Sequence, residues 1–393
     1  MTSTEAETAR WLLSPEAVRA QSRALLEAGL DGKLAHFTVH MDKLPAAAEL
    51  VCDVIRTNYP SLQVPPHARW RHFVFDGVDR WAAHAGAHLD DPMQRARAEC
   101  ELAIISVLLD AGAGSRWRYK DAGTGKSFAR SEGLALASLK MYQAGAFTPD
   151  KLAAFDANAL ARGFQVTPDN PLEGLEGRAA LIARLGQRVA SAPQIFADGS
   201  LGSIAGHLAG KANDGKLQAR DILIALLGAL GPIWPGRLEM AGMNLGDTWA
   251  HPLAPHGLVP FHKLSQWLSY SLFEPMQRMG LEITGQDALT GLAEYRNGGL
   301  FLDTGVIAMR NPDEAQRPQL PSGELVVEWR ALTVALLDEV AKLVRARLGK
   351  TDSEMPLASV LEGGTWAAGR RIADQLRSGG GPPIAIVSDG SVF

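Results

Sequence analysis

Cysteine is nearly missing from this 393-residue chain: only Cys52 and Cys100 occur, and no Cys-x-x-Cys spacing is present. That excludes a cysteine-rich structural zinc site and fits a reducing compartment, with both residues read as buried thiols. No run of Lys or Arg is long enough to neutralise several adjacent phosphates, and the formal net charge is −4, so a nucleic-acid partner is not expected. The longest apolar run, 222–234, is too short for a bilayer and is interrupted by Pro232, so no membrane association is expected either. Residues 1–10 are polar and acidic, unlike a secretory signal or an arginine-rich transit peptide. A cytoplasmic protein is the expectation. Gly-x-Ser-x-Gly is absent, which removes a nucleophile-elbow hydrolase.

What remains is an ordinary globular composition, 46% apolar and 21% charged, in a chain long enough for two or three domains. Apolar residues three and four apart predict helices over 16–28, 46–57, 92–109, 131–143, 174–188, 219–230 and 325–348. Strand signals are confined to 383–387, 300–309 and, more weakly, 72–75. The expected fold class is mainly α, multi-helical with a few short strands. Ser14-Pro15-Glu16, Thr148-Pro149-Asp150 and Asn170-Pro171 read as helix starts. The best linkers, 167–172 and 311–322, do not separate halves of different composition. The chain therefore reads as one unit, or at most as an N-terminal helical lobe 1–165 and a C-terminal lobe 166–393 that carries the main acidic site.

Several motifs carry weak chemical signals. Ala122-Gly123-Thr124-Gly125-Lys126-Ser127 ends like a phosphate-binding loop, but Lys120 stands where the first glycine belongs and no apolar strand precedes it, so a surface loop is the better reading. His84 and His88 share a helical face without the intervening Glu of a metalloprotease, and no metal is expected there. Asp76-Gly77-Val78-Asp79-Arg80-Trp81 is either an Asp-Gly turn with a surface ion pair or a segment that points Arg80 or Trp81 into a pocket. Arg116, Arg118 and the 130–133 segment are placed to hold an anion at a helix N-terminus, and capping by Ser131 explains them equally well. Gly246-Asp247-Thr248-Trp249 offers either a capping aspartate or a polar anchor beneath a stacked planar ligand. His262 and Lys263 read by default as solvated cations at the start of an amphipathic helix.

The stretch 289–304 is the most informative. Glu294, Arg296 and Asp303 are costly to bury unless paired or used, Tyr295 adds a phenol, and Gly298-Gly299 is expected to break the backbone and permit a close approach to a ligand.

Together with the Asp76–Trp81 segment, Leu109-Asp110-Ala111-Gly112-Ala113-Gly114, Arg130-Ser131-Glu132-Gly133-Leu134-Ala135 and Glu362-Gly363-Gly364-Thr365-Trp366-Ala367-Ala368-Gly369-Arg370, this stretch resembles the uracil-catabolism family of fungi and bacteria long known only as a domain of unknown function. The resemblance covers nearly the whole chain. It implies a pathway in which uracil becomes its ribonucleotide, the ring is opened by a relative of GTP cyclohydrolase II, and urea is released, which leaves cleavage of an N-glycosidic bond as the missing step. Gly246–Trp249 and Leu289–Arg296 are also similar, more distantly, to two motifs of the queuosine-phosphate N-glycosylases, helical enzymes akin to DNA glycosylases. That similarity implies a DNA-glycosylase-like helical core, a catalytic acid at Glu294 and a base-contacting acid at Asp247. Those enzymes have Asp where this chain has Glu294, and Gly298-Gly299 depart from their pattern.

The expectation is an N-glycosidase that converts a ribosylurea 5-phosphate to urea and ribose 5-phosphate without cofactor or metal, as a monomer or a homo-oligomer. Glu294, with Asp303 in reserve, would stabilise the oxocarbenium-like transition state, and Asp247 would hold the ureido N–H groups or supply a proton. Arg296, Lys263 and Arg80 are the candidate phosphate cations, Tyr295 a further donor, and Trp249, His262 and Asp79 neighbours in substrate binding. A non-catalytic scaffold or regulator is the alternative, and in it the acidic residues would pair with arginines. A metal-dependent amidohydrolase is the third reading, and it lacks a ligand set.

Overall fold

A computed structural model describes residues 3–235 and 238–387. Helix dominates, and strands occur only as two-stranded pairs among the described residues. One of these is parallel, Glu282–Thr284 beside Lys216–Gln218; the others, including Phe37–Val39 with Ile307–Met309 and Thr248–Ala250 with Leu258–Pro260, are antiparallel. The mainly α expectation holds. No helix among the described residues is long and apolar enough to cross a membrane.

The periodic segments fold as helices with small shifts at their ends: Pro15–Leu30, Leu44–Asn58, Pro92–Leu108, Arg130–Gln143, Leu175–Ser191, Ala219–Leu230 and Glu324–Leu348. Ser14 caps the first of these by accepting from the Ala17 amide at 3.3 Å, with Pro15 at the first helical position. Asn170-Pro171 does not start a helix. It closes a Thr167–Asn170 turn, and the helix begins at Leu175 after left-handed Gly174.

The described residues divide into two units. The first comprises 3–67, 238–266 and 285–387, and its core element is the Glu324–Leu348 helix, buried along most of its length and packed by the Pro15–Leu30 and Leu44–Asn58 helices. The second comprises 68–235 and 267–284. There the Pro92–Leu108 helix lies against Arg130–Gln143, and fully buried Arg178 donates to the carbonyls of Leu109 and Gly112, which follow that helix's last turn. Both cysteines are buried and free.

Four expectations fail in whole or in part where apolar or small residues serve packing. Residues 300–309 are not a strand: helix Tyr295–Asp303 runs through the first part, and only Ile307–Met309 pairs. Residues 72–75 begin in the end of a 3-10 helix, Arg69–Phe73, and only Val74–Phe75 form a strand, paired with Val78–Asp79, while 383–387 contributes only the isolated Gln319–Ile386 bridge. Gly298-Gly299 do not break the chain either, because they lie inside helix Tyr295–Asp303. A Cβ on Gly298 would sit 2.7 Å from the Trp329 indole nitrogen and 2.8 Å from the Thr333 hydroxyl. The glycine lets two helices meet closely.

Gly298→Ala should therefore destabilise the protein by about 1–3 kcal/mol through overpacking. Gly228→Ala, in the exposed interior of helix Ala219–Leu230 with nothing near the added methyl, should stabilise it by about 0.5–1 kcal/mol. Denaturant unfolding of the two variants checks both signs.

Candidate active site

Residues 245–263 form a tight structure in the first unit. Gly246, in the left-handed region at φ +61°, turns the chain so that Asp247 precedes the strand Thr248–Ala250, which pairs with Leu258–Pro260 and places Trp249 opposite Val259. The Asp247 carbonyl accepts from the Phe261 amide at 2.8 Å, closing the pair.

The Asp247 carboxylate accepts four hydrogen bonds. Oδ1 takes the Trp249 indole N–H at 2.7 Å and Arg330 Nη1 at 2.8 Å; Oδ2 takes Arg330 Nη2 at 2.7 Å and the Lys263 backbone amide at 3.0 Å. Burial works to raise its pKa, but the two-pronged Arg330 guanidinium, with Trp249 and the Lys263 amide, holds it far below the usual carboxylate range. Asp247 is thus a fixed anion. Arg330 comes from the middle of the buried Glu324–Leu348 helix, is 1% exposed, and lies with its guanidinium carbon 4.1 Å from the centroid of the Phe261 ring. Its Nε also reaches the Ala293 carbonyl at 3.4 Å, which ties the Asp247 cluster to the residue before Glu294.

Glu294 is the N-cap of helix Tyr295–Asp303. Its Oε2 accepts from the Arg296 amide at 2.7 Å and its Oε1 from the Asn297 amide at 2.6 Å. Burial raises its pKa, while those two amides and the charges of Lys263 and Arg296 oppose the rise. Being the cap, Glu294 lies outside the helical repeat, so the opposition of Glu294 and Arg296 that a continuous helix would impose does not arise. Arg296 is buried, stacks on Tyr295 with 4.9 Å from guanidinium carbon to ring centroid, and donates to the Gly380 carbonyl at 2.7 Å.

His262 is not a solvated cation. It is 2% exposed, sits at φ +47°, and donates from Nε2 to the Leu12 carbonyl at 2.8 Å; burial lowers its pKa. Asp303 lies at the far end of the helix from Glu294, about 13 Å along the axis, in a bidentate pair with Arg377 at 2.7 and 2.6 Å. Asp79 and Arg80 belong to the second unit. There Asp79 caps helix Arg80–His88 by accepting from the Ala82 amide at 2.8 Å, Asp76 and Gly77 make the preceding turn with positive φ, and Arg80 lies 3.9 Å from Asp121. The structure thus brings together Asp247, Trp249, His262, Lys263, Glu294, Tyr295 and Arg296.

Arg330 escaped the sequence reading. Its signal is a lone cation within an otherwise apolar helical stripe. Glu328, fully buried two residues earlier, is a similar case: it accepts from the amides of Ala35 and His36 at 2.9 and 3.0 Å. With His251 and Glu324 it forms the one His/acid group among the described residues close enough to share an ion. The Leu253 amide donates to His251 Nδ1 at 3.2 Å, so the neutral ring carries its proton on Nε2, the atom facing the carboxylates. An N–H, not a lone pair, is presented there.

A helical protein with a half-buried carboxylate fixed at a helix N-terminus beside a bidentate Asp–Arg pair is the class that emerges. The family model described as "Protein of unknown function (DUF1688)" matches residues 11–393, and the chain belongs to that family, the one its motifs resemble. It is similar to "Protein urg3" of Schizosaccharomyces pombe, 38% identical over 407 residues that cover 98% of this chain and 99% of that protein. It is also similar to "Uracil catabolism protein 4" of Lachancea kluyveri, 35% identical over 416 residues that cover 92% and 93% of the two.

Removing Arg330 strands a desolvated carboxylate, so Arg330→Gln should cost about 3–5 kcal/mol in denaturant unfolding. Asp247→Asn should flatten acid destabilisation. A depressed folded pKa contributes stability that is present above the unfolded value, 3.8, and lost as pH falls below it, and the variant has no such loss.

Proposed function

We propose that this chain is an N-glycosidase of uracil degradation that hydrolyses a ribosylurea 5-phosphate to urea and ribose 5-phosphate. The name of one relative, uracil catabolism protein 4, with its 35% identity over most of both chains, supports the pathway. The observation that carries the chemistry is Glu294: a half-buried carboxylate, fixed by two backbone amides at a helix N-terminus and raised in pKa by burial.

Breaking the C–N bond builds positive charge on the ribose ring. An ionised Glu294 stabilises that charge and takes the proton of the attacking water. Asp247, kept anionic by Arg330, is unsuited to supply a proton and instead fixes Trp249 and the start of the Lys263 helix. Lys263 is the cation of this group assigned to the 5-phosphate. Arg296, turned toward Gly380, supports Tyr295. The substrate is a small phosphorylated riboside, and no cofactor enters the scheme.

The pairing of Asp247 with Arg330 and of Asp303 with Arg377 favours a second reading, a helical scaffold or regulator that binds a pathway enzyme or intermediate. Calorimetry separates the two: the scaffold binds ribosylurea 5-phosphate or a partner and forms no product.

Purified protein should release urea from ribosylurea 5-phosphate, and Glu294→Gln should reduce kcat by at least about a hundredfold while keeping its helical circular dichroism. In the wild type kcat should fall as pH drops through the raised Glu294 pKa, on a limb above the ordinary glutamate value of 4.5. Undiminished turnover in Glu294→Gln would remove this residue from the mechanism.

A further inference from the structure

The Glu362–Arg370 motif meets the helix that carries Glu294. Residues Leu361–Thr365 form a π-helical turn between the helices Leu357–Val360 and Trp366–Leu376. Such turns are rare and cluster at functional sites. Gly364 admits this one to the Leu44–Asn58 helix, where a Cβ would overlap Val51 and come within 3.0 Å of Ile55. Thr365 and Gly369, four residues apart, share a second face. Gly369 lies against the first turn of helix Tyr295–Asp303, where a Cβ would overlap the Arg296 carbonyl. Thr365 is fully buried and donates from its hydroxyl to Asn297 Oδ1 at 2.9 Å.

Asn297 is the third residue of that helix, and each of its polar groups is tied to the cap or to the π turn. Its backbone amide donates to Glu294 Oε1 at 2.6 Å. Its Nδ2 donates to the Leu292 carbonyl at 3.2 Å, which also accepts from the Glu294 amide at 2.9 Å. The bonds close on themselves: the Glu294 side chain holds the Asn297 amide, and the Asn297 side chain holds the carbonyl that holds the Glu294 amide. This is a variant of the capping box, in which the third residue of a helix reaches back over its cap. Here it reaches two residues further, and the remaining acceptor is taken by Thr365. Asn297 is 1% exposed, so its amide is costly to leave unpaired.

We infer that Asn297 and Thr365 are positioning residues for the Glu294 carboxylate, an inference that rests on the glycosidase reading. Both oxygens of Glu294 are pinned by successive backbone amides, at 2.7 and 2.6 Å, so the plane of the carboxylate follows the Arg296–Asn297 peptide. An ionised carboxylate has about four lone-pair sites. The amides take two, and the direction of the others, toward the ribose ring and the attacking water, is set by where Asn297 is held. Thr365 holds it through a neutral hydrogen bond. The support therefore orients Glu294 without the adjacent guanidinium that makes Asp247 a fixed anion.

The test compares Thr365→Val, which removes the hydroxyl and keeps the branched shape, with Thr365→Ser, which keeps the hydroxyl. On ribosylurea 5-phosphate, Thr365→Val should lower kcat by about ten- to a hundredfold with little change in KM. It should also move the acidic limb of kcat to higher pH, because a loosened Asn297 amide opposes the rise of the Glu294 pKa less, while Lys263 and Arg296, the charges that also oppose it, stay in place. Thr365→Ser should keep the wild-type limb and most of kcat. Asn297→Ala should reproduce both effects of Thr365→Val, and the double variant should add little, since the two act through one bond; Asn297→Ala carries the test alone if Thr365→Val does not fold. A folded Thr365→Val with wild-type kcat and limb overturns the proposal, as does a limb that Thr365→Ser moves equally. Wild-type protein that releases no urea defeats the glycosidase reading instead. The positioning is then judged by 13C NMR titration of the Glu294 carboxyl, which Thr365→Val must move upward and Thr365→Ser must leave in place.

Discussion

The contact between Asp247 and Arg330 is the constraint on which the candidate site depends. Two charges are removed from water, and such a burial is tolerated only when geometry and extra hydrogen bonds compensate for lost hydration. Here the fork of the guanidinium matches both carboxylate oxygens, the Trp249 indole and Lys263 amide complete them, and the Phe261 ring covers the cation. One pair thus joins a strand turn, a helix start and the central helix of the unit. Its Arg330 also touches the carbonyl of Ala293, so the position of Glu294 is tied to the same anchor.

Glu294 and Asp247 show how two carboxylates in one unit acquire different chemistry. Each is sheltered from water, which by itself favours the neutral form. Asp247 faces a full guanidinium and stays ionised; Glu294 faces two neutral amides and more distant cations, and its pKa rises. Environment alone pushes the protonation equilibria of the two carboxylates apart. Asp303 belongs to a third situation, where a bidentate partner neutralises it away from the other two.

Much of the fold was legible because period and caps are local properties. The Ala219–Leu230 helix has the bounds its apolar spacing predicts, and the Ser14-Pro15 start has its cap bond. The site was legible only in outline. Glu294 stands out in the sequence by its cost of burial, but the packing role of Gly298-Gly299 does not, because the value of a missing Cβ depends on a partner helix some thirty residues away. Arg330 is hidden for the same reason: a single charged residue acquires its partner from an Asp brought near by tertiary folding, and no spacing in the chain announces it.

The wide turn at Leu361–Thr365 has an evolutionary consequence. A π turn accommodates about one residue more than the α-helical path it interrupts, so it behaves as a single-residue insertion absorbed without breaking the helix. Loss of one residue there would restore a regular α-helix and rotate everything beyond it by about 100°. Gly369 would then leave the Arg296 carbonyl, and side chains with a Cβ would take its place. A lineage carrying this turn is therefore locked to its length: substitutions within it can be tolerated one at a time, whereas a deletion must be answered at several positions at once.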